Sequence, residues 1–329
     1  MRLGERLERL LEGRKPGPTM ADSDFVAGWM DVTPWPPAPV TDWIQAQHLD
    51  LPYGTDPKQK LDLYLPNDPA PRPYPLLVIA HGGGFTHMDK ADWHVYPGFF
   101  ALRRGWAVAS LNYRLAPKHP FPAAVDDTKD ALSWLAAHAA DYGLDPGDLA
   151  LEGTSAGGNL VALAALQTAI TAAETRVPAP FTIRSVALLC PGTDLRGLWE
   201  AIQARRLGPV MRLGLAVTTR QYLGSRPKAG DDTIDRAGIY YWLDRAEALG
   251  LRLPPTYLLH GAADPLIPLE LTQRLHDRLA RAARDAADPT EVVLEVIPGA
   301  GHAGAGPEFF DPARLERLAD FWDRHRRRP

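Results

Sequence analysis

Between residues 61 and 80 the apolar positions pass from alternation to continuity. Leu61, Leu63 and Leu65 alternate with Asp62 and Tyr64, the period of a strand. Leu76-Leu77-Val78-Ile79-Ala80 is unbroken, as in a strand buried on both faces. Further apolar runs follow at 107–111, 149–151, 185–189, 257–259 and 292–297. Segments of helical composition, at 93–104, 123–142, 159–173, 269–287 and 312–326, separate most of them. This alternation predicts an α/β fold with a mostly parallel central sheet flanked by helices, a class whose ligands bind beyond the carboxyl ends of the strands. There are no internal repeats.

Two stretches lie outside that rhythm. Leu3, Leu7, Leu10 and Leu11 make a narrow apolar stripe at helical spacing, which predicts a short docked helix; interleaved glutamates argue against a membrane-surface role. Residues 16–39 then mix proline with Phe25, Trp29, Met30 and Trp35, too proline-rich for a long helix and too aromatic for a solvated linker. Residues 1–48 are therefore expected to form an N-terminal helix and an aromatic, proline-rich cap segment, ahead of a main domain at 49–329. An insertion at about 195–253 carries Trp199, Met211, Leu213, Leu215, Tyr222, Tyr240, Tyr241 and Trp242. It either builds a small helical cap with the N-terminal aromatics or covers the sheet.

Composition narrows the partners. With 45% hydrophobic and 23% charged residues and a net charge of −4, the chain has no field strong enough to imply nucleic acid, which favours small neutral or weakly charged ligands. Its one cysteine, Cys190, excludes an internal disulfide and a cysteine-built zinc site, reads as a buried packing residue, and suits a reducing compartment. The first eleven residues are charged throughout, unlike the apolar core of a signal peptide, and no other stretch approaches a membrane span. A cytoplasmic protein is expected, and a homodimer is left open.

The chemistry concentrates at Gly153-Thr154-Ser155-Ala156-Gly157, preceded by the apolar run 149–151 and followed by the apolar, glycine-free run 159–166. That is a strand, a tight turn and a helix, the context in which G-x-S-x-G exposes a serine hydroxyl on a strained turn. A glycine-rich connection carrying an ordinary exposed serine is the alternative. The loop after the 76–80 strand reads His81-Gly82-Gly83-Gly84-Phe85. Consecutive glycines at the carboxyl end of a buried strand let backbone N–H groups approach a ligand, as an oxyanion hole requires. This glycine triplet fits neither G-x-x-x-x-G-K-[ST] nor a G-x-G-x-x-G with a following acidic residue, the two phosphate-binding patterns.

His81–Phe85, the long stretch Tyr113-Arg114-Leu115-Ala116-Pro117-Lys118-His119-Pro120-Phe121-Pro122-Ala123-Ala124-Val125-Asp126-Asp127, and Gly153-Thr154-Ser155-Ala156-Gly157-Gly158-Asn159 together resemble the hormone-sensitive-lipase-like esterases of the α/β-hydrolase fold. The resemblance spans about residue 49 to the C-terminus. It implies hydrolysis of a small-molecule carboxylic ester, of short to medium acyl length, without metal or organic cofactor. It also implies an oxyanion hole made by the N–H groups of Gly83, Gly84 and Ala156.

In this fold the acid and then the histidine follow the serine in sequence. Asp264 comes directly after the 257–259 strand within His260-Gly261-Ala262-Ala263-Asp264-Pro265-Leu266, and the family also carries Asp-Pro-Leu there. Asp194, after the 185–189 strand, is its rival. Of the histidines beyond Asp264, His276 lies in a helical segment and His325 in an arginine-rich tail, whereas His302 sits in a glycine-rich loop after the 292–297 strand. His302-Ala303-Gly304 replaces the His-Gly-Phe common in the family. The expected catalytic residues are Ser155, Asp264 and His302.

Other residues carry weaker expectations. His81 reads as a loop organiser, and Arg114 with Asp126 and Asp127 as an internal ion pair or a solvated cluster. Glu152 reads as a surface residue or the partner of an arginine. An amidase using the same triad and a non-catalytic binder on the same scaffold are the rival functions; relatives of the second kind lose a triad member, and this chain keeps all three.

Overall fold

A computed structural model describes residues 39–67, 72–204, 208–228, 230–285, 289–302 and 307–327. The predicted N-terminal helix and most of the aromatic, proline-rich segment lie outside the described residues.

Eight strands form one sheet in the order β1-β2-β4-β3-β5-β6-β7-β8. They are β1 (Ala46–Pro52), β2 (Lys60–Leu65), β3 (Tyr74–Ala80), β4 (Ala107–Leu111), β5 (Leu144–Thr154), β6 (Ile183–Leu189), β7 (Thr256–Gly261) and β8 (Val292–Ile297). β2 pairs antiparallel with both β1 and β4, and every pairing from β4 to β8 is parallel. The seven predicted strands are all present. β1 is an addition: its mixed sequence Ala-Gln-His-Leu-Asp-Leu-Pro has no buried face to impose a period, because it closes an edge of the sheet through a bulge between His48 and Leu51.

Side chains alternate between two cores, as strand geometry demands. From β3, Leu76, Val78 and Ala80 enter one, while Leu77 and Ile79 enter the other. The first core lies under α2 (Ala123–Ala137), the short α3 (Ala139–Tyr142), α4 (Ala156–Thr175) and α9 (Leu269–Asp285). The second lies under α1 (Tyr96–Leu102) and α10 (Pro312–His325), through Phe99, Leu102, Leu318, Phe321 and Trp322. Removing a side chain the size of Phe321 from water stabilises the fold by roughly 1.5–3 kcal/mol.

One expectation needs correction. α4 has twenty residues and is long and apolar enough to cross a membrane by length and composition. It is apolar all round because it is sandwiched, with β3, β5 and β6 beneath it and α2 and an insertion helix against its other sides. Most of its apolar window is buried in the domain.

The insertion is helical: α5 (Leu195–Gln203), α6 (Pro209–Leu223), α7 (Thr233–Arg236) and α8 (Ile239–Ala248). α8 packs on α4, and α5 packs on α6 and α7. The insertion thus covers the long helix and also, through α6, reaches the glycine loop after β3.

Candidate active site

β5 ends at Thr154 and α4 begins at Ala156, so Ser155 alone makes the corner, with φ 55° and ψ −114°. A non-glycine residue held there costs on the order of 1–3 kcal/mol, and the surroundings must hold it in place. The Ser155 N–H donates to the Leu189 carbonyl at 2.7 Å, and the Ser155 carbonyl accepts from Asn159 and Gly192, each at 3.2 Å. The flanking glycines are required by contact. A methyl on Gly153 would sit 2.3 Å from the Gly157 carbonyl oxygen, and one on Gly157 only 2.0 Å from the Ala80 oxygen at the end of β3. The Asn159 amide group donates to the Gly192 and Ala237 carbonyls, at 2.8 and 3.1 Å, and so ties the corner to the insertion.

His302 lies 147 residues further along the chain, yet its Nε2 is 2.9 Å from Ser155 Oγ. Its Nδ1 is 2.7 Å from Asp264 Oδ2. An ionised carboxylate can only accept, so the ring proton belongs on Nδ1 and Nε2 is left to accept from the serine hydroxyl. Asp264 Oδ1 accepts from the Leu266 and Ile267 amides at 2.8 and 2.9 Å. Burial alone pushes this carboxyl up, but the charges and hydrogen bonds of His302 and His260 outweigh it and hold Asp264 well below the usual carboxylate range. Asp194 does not join the group. It caps α5 by accepting from the Gly197 N–H at 2.7 Å and pairs with Arg274 at 3.2 Å.

The glycine loop borders the same corner. A methyl on Gly82 would lie 3.4 Å from Ser155 Cβ and 2.9 Å from His94 Nε2, and Gly83 and Gly84 take φ values of 97° and 58° that side chains avoid. Ala156, the third predicted donor, opens α4, where helix N–H groups lack intrahelical partners. Tyr113 braces the loop: its hydroxyl donates to the His81 carbonyl at 2.8 Å and its ring stacks on His81 at 4.4 Å. Above it, α6 closes down. Tyr222 stacks on Phe85 with centroids 3.5 Å apart, and Thr218 Cγ2 would meet a methyl on Gly84 at 2.9 Å.

His81 fits its predicted role as organiser, with Nδ1 donating to the Gly82 carbonyl at 2.8 Å and burial lowering its pKa to about 4. Arg114 grips the fully buried Asp127 carboxylate through backbone N–H, Nε and Nη2, while Asp126 faces Lys129 at 2.9 Å instead. Glu152 contradicts both expectations, being neither exposed nor paired with an arginine. It is wholly buried, accepts a 3.2 Å bond from Thr154 Oγ1, and burial raises its pKa to about 8. Its neighbours in β5 and across the sheet, Leu151, Ile79 and Ala187, were the available signal: an acid inside a buried parallel strand points inward.

Sequence reasoning also missed His260, His94, Thr218 and the placement of Cys190. His260, fully buried, holds the Asp264 turn, with Nε2 donating to the Ile267 carbonyl at 2.9 Å and lying 3.3 Å from Asp264 Oδ2. Its position beside the acid in His260-Gly261-Ala262-Ala263-Asp264 was a usable hint.

Esterase LipC of Mycobacterium tuberculosis is 28% identical over 266 residues, covering 80% of this chain and 60% of that protein. Esterase LipQ of the same organism is 29% identical over 261 residues, covering 78% and 57%. The chain thus spans less than two thirds of these relatives' lengths. Among solved structures, a bacterial heroin esterase superposes with a TM-score of 0.67 at 26% identity, covering 93% of this chain and 90% of that one. A truncated carbohydrate esterase from gut microbiota gives 0.68 at 20% identity, covering 88% and 99%, a likeness of fold. The family model described as BD-FAE matches residues 61–279, a span that holds Ser155 and Asp264 and stops short of His302. With the strand order, the serine corner and this match together, the chain belongs to the BD-FAE family and has the α/β-hydrolase fold.

Proposed function

We propose that the protein is a serine carboxylesterase that hydrolyses carboxylic esters of short to medium acyl length through an acyl-enzyme. The observation that carries this is the unbroken relay from Ser155 Oγ to His302 Nε2 at 2.9 Å and from His302 Nδ1 to Asp264 Oδ2 at 2.7 Å. In this reading His302 takes the serine proton as Oγ attacks the ester carbonyl, then returns it to the departing alcohol. Asp264 keeps the ring in the required tautomer and stabilises the imidazolium without accepting the proton. The N–H groups of Gly83, Gly84 and Ala156 stabilise the oxyanion; losing one such donor typically costs on the order of 10² to 10³ in rate. Water on the same base then releases the acid. The relatives' names, esterases LipC and LipQ, support the same reaction class. A cytoplasmic location belongs to this proposal through the single buried thiol, and subcellular fractionation tests it.

Hydrolysis of p-nitrophenyl esters from acetyl to palmitoyl, run beside Ser155→Ala, tests the assignment. Turnover confined to the shorter chains and lost in the variant is expected. Retention of most activity by folded Ser155→Ala removes Ser155 as nucleophile, and faster cleavage of a matched amide than of the ester replaces the esterase reading with an amidase.

A further inference from the structure

Cys190 is fully buried at the carboxyl end of β6, with its N–H donating to the Leu259 carbonyl at 2.8 Å. Its Sγ, a ring nitrogen of His302 and a carboxylate oxygen of Asp264 all lie within 4.8 Å of one another, the one such cluster of three possible metal ligands among the described residues. A thiolate, an imidazole and a carboxylate form the mixed donor set that zinc accepts. Donors on one tetrahedral zinc, with bonds of about 2.0 to 2.3 Å, stand roughly 3.5 Å apart, so the sulfur closes by at most little more than an ångström while the 2.7 Å His302–Asp264 contact opens by about an ångström or less.

We propose that Cys190, His302 and Asp264 form an inhibitory site for a thiophilic divalent cation, Zn²⁺ in the first instance. The idea rests on the catalytic reading above, because its consequence is loss of that relay. His260 does not compete for the ion, since its Nε2 proton is engaged by the Ile267 carbonyl. The His302 side chain retains 11% exposure, which supplies an edge for entry and for a water as fourth ligand.

The proton balance shows why binding stops the chemistry. The cation takes the Cys190 thiolate, and the thiol proton leaves to solvent. It also takes the lone pair of His302 Nδ1, so the proton that Nδ1 donated to Asp264 moves through solvent to Nε2. Nε2 then carries a proton and cannot accept one from Ser155. Asp264, already ionised, turns its oxygen from the ring to the metal. No bond to carbon changes and nothing is oxidised, so removing the cation restores the relay.

The test has two arms. Metal-free protein titrated with Co²⁺ should develop a thiolate-to-cobalt charge-transfer band in the wild type and in Ser155→Ala, and none in Cys190→Ser. His302→Gln should keep the thiolate and weaken Co²⁺ binding by about tenfold or more. In the second arm, Zn²⁺ should inhibit ester hydrolysis reversibly, with chelator restoring the rate. Cys190→Ser and Cys190→Ala, each normalised to its own metal-free rate, should need at least about tenfold more Zn²⁺. A wild type without the thiolate band, or serine and alanine variants inhibited as readily as the parent, overturns the site. If the wild type hydrolyses no ester, the esterase reading fails, and the Co²⁺ band in wild type and Ser155→Ala still decides this one.

Discussion

The Glu152 carboxyl and the Thr154 hydroxyl are joined by a 3.2 Å hydrogen bond at the end of β5, immediately before the serine corner, with the second carboxyl oxygen of Glu152 unpartnered. Burial outweighs the Thr154 bond and raises the folded pKa from 4.5 to about 8. The folded protein therefore holds a proton that the unfolded chain releases between those values, and stability falls as pH rises through that window, then levels off. Across it the cost amounts to roughly 3–5 kcal/mol. Glu152→Gln, which cannot ionise, should gain on the parent from pH 5 to about pH 8 in denaturant unfolding and hold a constant advantage above that. Parallel stability curves for the two proteins would refute the buried, protonated carboxyl.

Asp127 has no exposed surface and receives Arg114 through four contacts and Gln59 through a fifth, at 2.6–2.9 Å. Removing the guanidinium strands a buried charge. Arg114→Ala should destabilise the fold by about 3–5 kcal/mol, whereas Arg114→Leu with Asp127→Leu should recover most of the loss. Equal instability of the single and double variants would mean that packing of the Arg114 stem, not charge, governs the site.

Gly84 carries φ 58°, and a methyl there would meet Thr218 Cγ2 at 2.9 Å. Gly84→Ala meets both a backbone penalty of about 1–2 kcal/mol and a clash with α6. Ester turnover should fall while the fold survives, and adding Thr218→Ser, which deletes Cγ2, should restore part of kcat. Absence of any rescue would show that α6 does not bear on the loop.

Asp264→Asn should leave the fold near intact and lower kcat by on the order of 10⁴, because an amide that donates toward Nδ1 favours the tautomer with Nε2 protonated. Asp194→Asn, which keeps an oxygen to cap α5 and loses the ionic part of the contact with the exposed Arg274, should leave kcat within a factor of about two and stability within about 1 kcal/mol of the parent. The opposite ranking of the two variants in ester kinetics would reassign the acid.

Local constraints on backbone and burial were legible in the sequence. β4 and β8 match the apolar runs residue for residue; β4 is buried throughout, and a strand buried in a sheet admits little else, whereas β8 is the half-buried edge strand beside β7. The serine corner was legible for a similar reason: a methyl at Gly153 or Gly157 collides with backbone, so the chain must write glycine at those spacings. The order of acid and histidine after the serine then pointed to Asp264 and His302, and the geometry brings those two together with Ser155.

Only the tertiary structure decided what depends on which loops the sheet order sets side by side. Asp194 and Asp264 each follow a strand, and nothing local says that one caps a helix while the other faces His302. Cys190 looked like packing because its run is apolar, yet the end of β6 lies against the end of β7 and brings its sulfur to the His302–Asp264 pair. Glu152 was misread because charge predicts exposure one residue at a time, whereas burial belongs to the strand. β1 and the reach of α6 over Phe85 and Gly84 were unreadable because an edge strand and a covering helix are specified by the surface they meet, which exists only once the sheet has formed.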